Sequence, residues 1–312
     1  MIRWTAALTR AGITDPHLRQ AYDDQRKSVR KFALPEYLAA RLLLPAELHP
    51  SVVAAVAYMH ETDELIDAGD LSVRQAALRS WGTQTTAALE SSSLPDQATL
   101  VPLWDTVRRH PDMAARVRDF LDGARVEAGW NGFDMEDDFQ AYVDSYSLPA
   151  LMLTASLIAP PPGAGDLEAF VRGCRALIEG WQRCDFLADL AEDAANGRIG
   201  IPQDELARHD LKFEDLRSKS EACLPALERL VRAQTDRAET ALAQCRELPA
   251  LVAAGHRPFL EALIAVQELR LDAVRRAGGE LLHREAGPAR LASLRVLARQ
   301  SRLARAQQRQ AR

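Results

Sequence analysis

Apolar residues recur at spacings of three and four along nearly the whole chain. This is the period of an amphipathic α-helix, which has 3.6 residues per turn. No stretch alternates β-branched or aromatic residues with polar ones, which is the pattern of a half-buried strand. The sequence therefore predicts an all-α fold with too many helices for a four-helix bundle. Besides a helix from Pro50 to Ile66, helices are predicted at about 17–31, 35–44, 71–92, 98–110, 112–127, 136–159, 166–194, 213–245, 256–278 and 288–308.

Proline and glycine interrupt this helical pattern only over short stretches. Each stretch is a few residues long, which is typical of turns between packed helices and too short for a linker between domains. We therefore expect a single α-helical domain over residues 1–312, with its core at about 35–300. The interruptions lie at 93–95, 129–132, 160–163, 197–202 and 278–279.

The composition argues against several classes of protein. A net charge of −5 gives no electrostatic reason to expect a nucleic-acid partner. Four widely spaced cysteines form neither a disulfide framework nor a CxxC metal site, which favours a reducing, cytoplasmic compartment. The first residues lack the apolar block of a secretory signal. The longest apolar stretch, 148–159, is shorter than the roughly 20 residues that a membrane span requires.

Two acidic clusters lie on predicted helices more than a hundred residues apart. Each has the pattern Asp-x-x-x-Asp, formed by Asp63 with Asp67 and by Asp189 with Asp193. On a helix this spacing places two like charges side by side, and their repulsion needs a compensating cation. A single pair is common on a solvated helix face, but both of these pairs sit among apolar residues. Because Mg²⁺ binds few carboxylates and completes its shell with phosphate oxygens, two facing pairs indicate a diphosphate site.

The residues around both clusters resemble the motifs of the squalene/phytoene synthase family, the head-to-head trans-prenyl synthases. Four motifs occur in the order that the family has, over roughly residues 35–300. They are the first aspartate-rich helix at 57–67 with Leu44-Pro45 upstream, a Tyr-led segment at 142–149, the second aspartate-rich signature at 182–193 with 197–206, and an Ala-Gly turn at 277–283.

The resemblance implies an isoprenoid-synthase-like bundle of helices around a central cavity. It also implies Mg²⁺ as a cofactor and prenyl diphosphates as substrates, and it leaves the use of NADPH open. The tyrosine of the second motif would assist proton removal or orient the leaving group. The residues implied at the site are Asp63, Asp67, Asp189 and Asp193 for the metal, Tyr142 for catalysis, and His60, Gln182, Asp185 and Arg198 for the substrate.

Several positions depart from the family pattern. The family usually has arginine at the positions of His60 and Ala188, so two cations near the phosphates are lost. It has asparagine at the position of Asp185 and tyrosine at the position of Gly200. A small, glycine-containing stretch is replaced by 148–152, Leu-Pro-Ala-Leu-Met. The proline is expected to kink its helix, and the bulkier side chains are expected to narrow the cavity.

Three functions follow as hypotheses. The leading one is head-to-head condensation of two C15 or C20 prenyl diphosphates to a squalene-like or phytoene-like product. The altered stretch at 148–152 motivates an alternative, a terpene cyclase that uses a single donor. The lost cations motivate a third, a non-catalytic assembly partner. Donor length, stereochemistry and oligomeric state are not predicted.

The end of the chain is basic, with eight arginines and one acidic residue from Arg284 to Arg312. Its first part carries an apolar stripe that is expected to pack on the domain, and the rest is expected to be solvated. The alternative is peripheral contact with an anionic membrane. The stripe consists of Leu291, Leu294, Val296 and Leu297.

Overall fold

The computed structural model describes residues 2–161, 163 and 165–310. These residues form helices, turns and no β-strand, which confirms the predicted all-α class. The α-helices are α1 Trp4–Arg10, α2 Pro16–Phe32, α3 Leu34–Leu43, α4 His49–Asp67, α5 Leu71–Glu90, α6 Val101–Arg109, α7 Met113–Gly129, α8 Glu136–Tyr142, α9 Leu148–Ala155, α10 Leu167–Ala188, α11 Leu190–Ala195, α12 Gln203–Arg208, α13 Phe213–Arg217, α14 Leu224–Gln244, α15 Arg257–Ala277 and α16 Arg290–Gln310.

Local sequence signals explain where the longer helices begin. The carboxylate of Asp15 accepts hydrogen bonds from the backbone N–H groups of His17 and Leu18, at 2.8 and 3.0 Å, and so caps α2. Asp166 caps α10 in the same way by accepting from the N–H of Ala169 at 2.7 Å. Helices α2 and α10 thus start at residues whose side chains satisfy N–H groups that have no partner within the helix.

One large cluster of buried side chains forms the core and extends from Ala40 in α3 to Leu282 after α15. Helix α10 contributes Cys174, Leu177 and Leu187 to this core and packs against α9, α14 and α15. Each fully buried leucine contributes roughly 1.5–3 kcal/mol of hydrophobic free energy. The burial of α10 fixes the position of its carboxyl end, which carries Asp185 and leads into Asp189.

The segment predicted as one helix over 136–159 is divided, so that prediction was wrong in detail. Helix α8 is followed by a π-helical turn, Val143–Ser147, and α9 begins at Leu148. Pro149 has no N–H to donate to the carbonyl of Ser145, and the wider π turn accommodates this missing bond. Proline is tolerated in the first turn of α9 because that N–H would have no partner within the helix.

Helix α7 approaches this π turn closely at Gly123. A Cβ atom at this position would overlap the carbonyl oxygen of Ser145 and lie 3.0 Å from the Cα of Tyr146. Glycine therefore allows contact between the two backbones. The approach brings Glu127, one turn further along α7, to the tyrosines of the 142–149 segment.

Other predicted helices differ in their boundaries. The 166–194 helix breaks at Asp189, where α10 ends and α11 begins. The 213–245 helix is divided into α13 and α14, since Lys219 between them has a left-handed backbone with φ of 52°. Helices α1 and α12 were not predicted, because six or seven residues show too little periodicity.

A buried network of charges joins α8, α10, α12 and α14. The guanidinium of Arg183 in α10 is nearly fully buried and pairs with Glu136 of α8 and Glu179. Arg237 of α14 pairs with Glu136 at 2.7 Å and with Glu205 of α12 at 2.8 Å. Because these charges are matched and desolvated together, the network fixes α8, and with it Tyr142, against α10.

The basic segment at the end forms α16, which packs against α3 and α15. Its buried positions are Gln300, Ser301 and Ala304, while Leu291 and Leu294 of the predicted stripe are exposed. Val296 and Leu297 are half-buried, so only part of the stripe is covered by the domain, and contact with a membrane stays a prediction. Among the described helices, none combines the length and the apolar character needed to cross a bilayer.

Candidate active site

Two tyrosines from the α8–π segment donate hydrogen bonds to carboxylates on two other helices. The hydroxyl of Tyr142 lies 2.6 Å from Oε2 of Glu127 in α7. The hydroxyl of Tyr146 lies 3.3 Å from Oδ1 of Asp63 in α4. The ring centroids of the two tyrosines are 5.4 Å apart. Residues from α4, α7 and the π segment therefore meet at one place.

The first acidic row lies at the carboxyl end of α4. Burial raises the pKa of Asp63 to about 7, the hydrogen bond from Tyr146 opposes the shift, and the carboxylates of Asp67 and Glu127 add to it. Asp67 itself is exposed at the last residue of α4. Without a cation, Asp63 is therefore partly protonated near neutral pH, and a bound cation would favour its ionised form.

The second acidic row lies at the carboxyl end of α10 and on α11. Burial raises the pKa of Asp193 to about 6; Arg198 opposes the shift, and Asp189 and Glu127 contribute to it. The Glu127 carboxylate thus acts on Asp63 in one row and on Asp193 in the other. Both rows are thus close to Glu127, and their facing arrangement stays a prediction.

Asp189 occupies the break between α10 and α11. The backbone N–H of Asp193 still donates to the carbonyl of Asp189 at 2.9 Å, so the two residues remain on successive turns. Partial burial raises the pKa of Asp189, and the nearby carboxylates of Glu285 and Glu192 contribute. The side chain is exposed and lies at the rim of the site.

The other predicted substrate residues have structural partners. Oε1 of Gln182 accepts a hydrogen bond from the hydroxyl of Ser147 at 3.1 Å. Asp185, one turn before Asp189, pairs with Arg270 of α15. His60 stacks on Phe32, with ring centroids 3.6 Å apart. These three residues lie on the same helices as the acidic rows, and their contacts with substrate stay predictions.

Aromatic side chains pack beside Tyr142 and Arg198. The guanidinium of Arg198 lies over the ring of Trp130, 5.4 Å from its centroid, and Trp130 stacks on Phe186. A Cβ at Gly200 would overlap the ring of Phe186. The tyrosine that the family has at position 200 therefore would not fit here, because Phe186 fills that space.

The carboxylates supply the oxygen ligands that Mg²⁺ prefers, although they do not supply a complete set of ligands. Among the residues that the structure describes, no three His, Cys, Asp or Glu side chains are close enough to hold a metal by themselves. Mg²⁺ usually takes one or two carboxylates and completes its octahedral shell with water and substrate phosphates. Two separated rows fit this mode of binding, and metal ligation by Asp63, Asp67, Asp189 and Asp193 stays a prediction.

Partly buried apolar side chains lie on α4 and α9, and a hollow between the two rows stays a prediction. Val56 and Met59 of α4 and Leu148 and Leu151 of α9 pack on the main core without being fully buried. Met152, expected as core or as cavity lining, belongs to the core. A separate cavity of about 740 Å³ lies beside α14 and the end of α15, and none of the predicted site residues lines it.

Glu127 was not predicted as a site residue, and Tyr146 was not distinguished from its neighbours. A usable signal was present for both. Glu127 falls on the buried stripe of α7 with Phe120 and Ala124. A carboxylate is rarely found on such a stripe unless it has a partner. Tyr146 follows Tyr142 by four residues, which places both tyrosines on one face of a helical segment.

Solved structures show what class of fold this arrangement defines. Squalene synthase HpnC from Alicyclobacillus acidocaldarius superposes with a TM-score of 0.75 over 86% of this chain and 98% of its own, at 22% identity. A dehydrosqualene synthase solved with a ligand gives 0.75 over 93% and 98%, at 20% identity. The chain therefore has the isoprenoid synthase fold in its squalene-synthase-like form.

The sequence comparison adds the family. The profile of the squalene/phytoene synthase family matches residues 33–297, and the chain belongs to that family. It is 32% identical over 266 residues to the bifunctional protein CrtB/UppS of Streptomyces coelicolor, covering 84% of this chain and 45% of that one. It is 28% identical over 201 residues to phytoene synthase 1 of Arabidopsis thaliana, covering 64% and 47%. The chain thus spans about half the length of these two relatives.

Proposed function

We propose that this protein is a Mg²⁺-dependent prenyltransferase that joins two C15 or C20 prenyl diphosphates head to head. The observation that carries this proposal is a pair of tyrosine hydroxyls, which donate to Glu127 of α7 and to Asp63 of the first acidic row. Membership of the squalene/phytoene synthase family supports the same class of reaction. The product would be squalene-like, phytoene-like or the cyclopropyl diphosphate that precedes them.

Ionisation of an allylic diphosphate requires that negative charge on the leaving group be stabilised. Mg²⁺, held by Asp63, Asp67, Asp189 and Asp193, would supply Lewis-acid stabilisation of that charge. Arg198 supplies a fixed cation beside Asp193, and its position over Trp130 restricts its motion. The apolar walls from α4 and α9 exclude water from the allylic cation.

The tyrosines would handle the proton that is lost when the two chains are joined. The cation from the first donor alkylates the double bond of the second, and loss of a proton closes the cyclopropane ring. Burial raises the pKa of Tyr142, so its hydroxyl stays protonated, and it donates to Glu127. The hydroxyl oxygen can accept the released proton while the original hydroxyl proton passes to the Glu127 carboxylate.

A single-donor terpene cyclase is the second candidate. Leu148 and Leu151 of α9 pack against both the main core and the aromatic cluster that contains Tyr142. Side chains of this size take space that a second long prenyl chain would need. The non-catalytic partner remains the third hypothesis, since His60 is stacked on Phe32 and is not presented as a replacement for arginine.

Incubation of the pure protein with Mg²⁺ and C10, C15 or C20 prenyl diphosphates tests these functions. We expect pyrophosphate release and a product whose mass contains two prenyl chains. A hydrocarbon or alcohol that contains one chain would replace the coupling proposal with the cyclase. Absence of pyrophosphate release with every donor would support the non-catalytic partner. Chelation of Mg²⁺ with EDTA should stop the reaction and re-addition should restore it.

A further inference from the structure

A guanidinium that is absent from the predicted set projects from α15 toward α10. Arg270 forms an ion pair with Asp185, and its Cζ lies 6.0 Å from the ring centroid of Trp181. Both partners are on α10. The side chains of Arg270 and Asp185 keep 25% and 29% of their surface exposed, so the pair is accessible and is not sealed in the core.

The pairing with Asp185 does not use the full binding capacity of Arg270. A guanidinium has five N–H donors in a planar fork, and one carboxylate occupies two of them at most. Nε of Arg270 is buried and has no hydrogen-bond partner among the described residues. Burial lowers the pKa of this guanidinium, an effect that Cys184 and Glu36 oppose. The group therefore carries a desolvated charge with donors left for an anion.

The position of the pair relates it to the second acidic row. Asp185 precedes Asp189 by four residues, one turn of α10, so Arg270 reaches α10 next to that row. The family's arginine at position 188 is replaced by a buried alanine here. Arg270 on α15 therefore supplies a positive charge that α10 lacks. It faces Asp185, at the position where the family usually has asparagine.

We infer that Arg270 binds the diphosphate group of a prenyl diphosphate and that Asp185 holds its guanidinium in position until the substrate arrives. The phosphate oxygens replace or join the Asp185 carboxylate as acceptors, because an arginine fork matches phosphate as well as carboxylate geometry. This inference rests on the proposed function, since it requires that the site take a diphosphate. Arg270 is thus a binding residue, and Asp185 is a positioning residue.

A purely structural role makes a different prediction. If the pair only joined α10 to α15, Arg270→Gln would leave an unpaired carboxylate and destabilise the fold. Removing that carboxylate as well, in the double variant Arg270→Gln/Asp185→Asn, would then restore both the wild-type stability and the wild-type affinity for pyrophosphate. If Arg270 binds the diphosphate, the double variant regains stability but not affinity.

Calorimetric titration of the full chain with inorganic pyrophosphate in the presence of Mg²⁺ separates the two roles. We expect Arg270→Gln and the double variant to bind at least about tenfold more weakly than wild type, the effect of losing a charge-assisted hydrogen bond. Arg270→Lys should retain part of the affinity, and Asp185→Asn should weaken binding less than Arg270→Gln does, because the amide oxygen of asparagine can still accept from the guanidinium. Arg172→Gln removes an exposed arginine that is paired with Glu168 on the same helix as Asp185, and it should change nothing.

Two outcomes would overturn the inference: a double variant with wild-type affinity for pyrophosphate, or a wild-type protein that does not bind pyrophosphate. Turnover of prenyl diphosphates by wild type is measured separately. A protein that binds pyrophosphate through Arg270 but turns over no donor would contradict the proposed function and leave the binding role of Arg270 intact.

Discussion

Asp63→Asn and Asp193→Asn are each expected to lower prenyl diphosphate turnover by roughly a thousandfold, about 4 kcal/mol of transition-state stabilisation. Each variant removes one carboxylate from one row while keeping nearly the same shape. Because burial raises the pKa of Asp63 to about 7, ionising it in the folded protein costs free energy. The metal-free Asp63→Asn variant should therefore melt at the wild-type temperature or above it at pH 7.

Lower turnover with an unchanged or higher melting temperature would separate loss of catalysis from loss of folding. The measurements are pyrophosphate release in the presence of Mg²⁺ and thermal unfolding in its absence. Asp119→Asn is the matched control, since Asp119 is exposed on α7 and pairs only with Arg116 at 3.3 Å. Turnover within tenfold of wild type in both row variants would show that the rows do not act on the leaving group.

Gly123→Ala is expected to destabilise the fold by about 3 kcal/mol, because the added methyl meets a backbone carbonyl that cannot move aside. For a chain of this size the melting temperature should fall by roughly 6–12 °C. Separating α7 from the π turn should also lengthen the Tyr142–Glu127 hydrogen bond, so turnover should fall as well.

Gly129→Ala is the control for this effect. It makes the same change at the last residue of α7, where, among the described residues, no atom outside the local helix lies within 4 Å of the added Cβ. The melting temperature should stay level or rise slightly, since alanine favours the helix. Equal melting temperatures for the two variants in thermal unfolding would show that the close contact at Gly123 is not needed.

The sequence predicted those features that depend on local pattern. The helical period predicted the fold class and most of the long helices, and the spacing of Asp63 and Asp67 placed both carboxylates at the same end of α4. The resemblance to the family predicts that the second row belongs to the same site, which stays a prediction. The fold class and the long helices could be predicted because periodicity is a property of the chain itself.

The features that were missed depend on contacts between distant segments. Arg270 pairs with Asp185 because α15 packs on α10. No sequence pattern near Arg270 predicts that contact. Glu127 reaches Tyr142 only because Gly123 allows α7 to approach the π turn. The π turn accommodates the missing N–H of Pro149. The spacing of apolar residues by three and four does not reveal this feature.

The central claim is that the two acidic rows hold metal ions and a diphosphate between them. Crystals grown with Mn²⁺ and inorganic pyrophosphate test it through anomalous scattering from the metal. We expect Mn²⁺ peaks between the rows, bound at about 2.1 Å to oxygens of Asp63 or Asp67 on one side and Asp189 or Asp193 on the other, with pyrophosphate as a shared ligand. Peaks confined to other surfaces, with both rows free of metal, would contradict it.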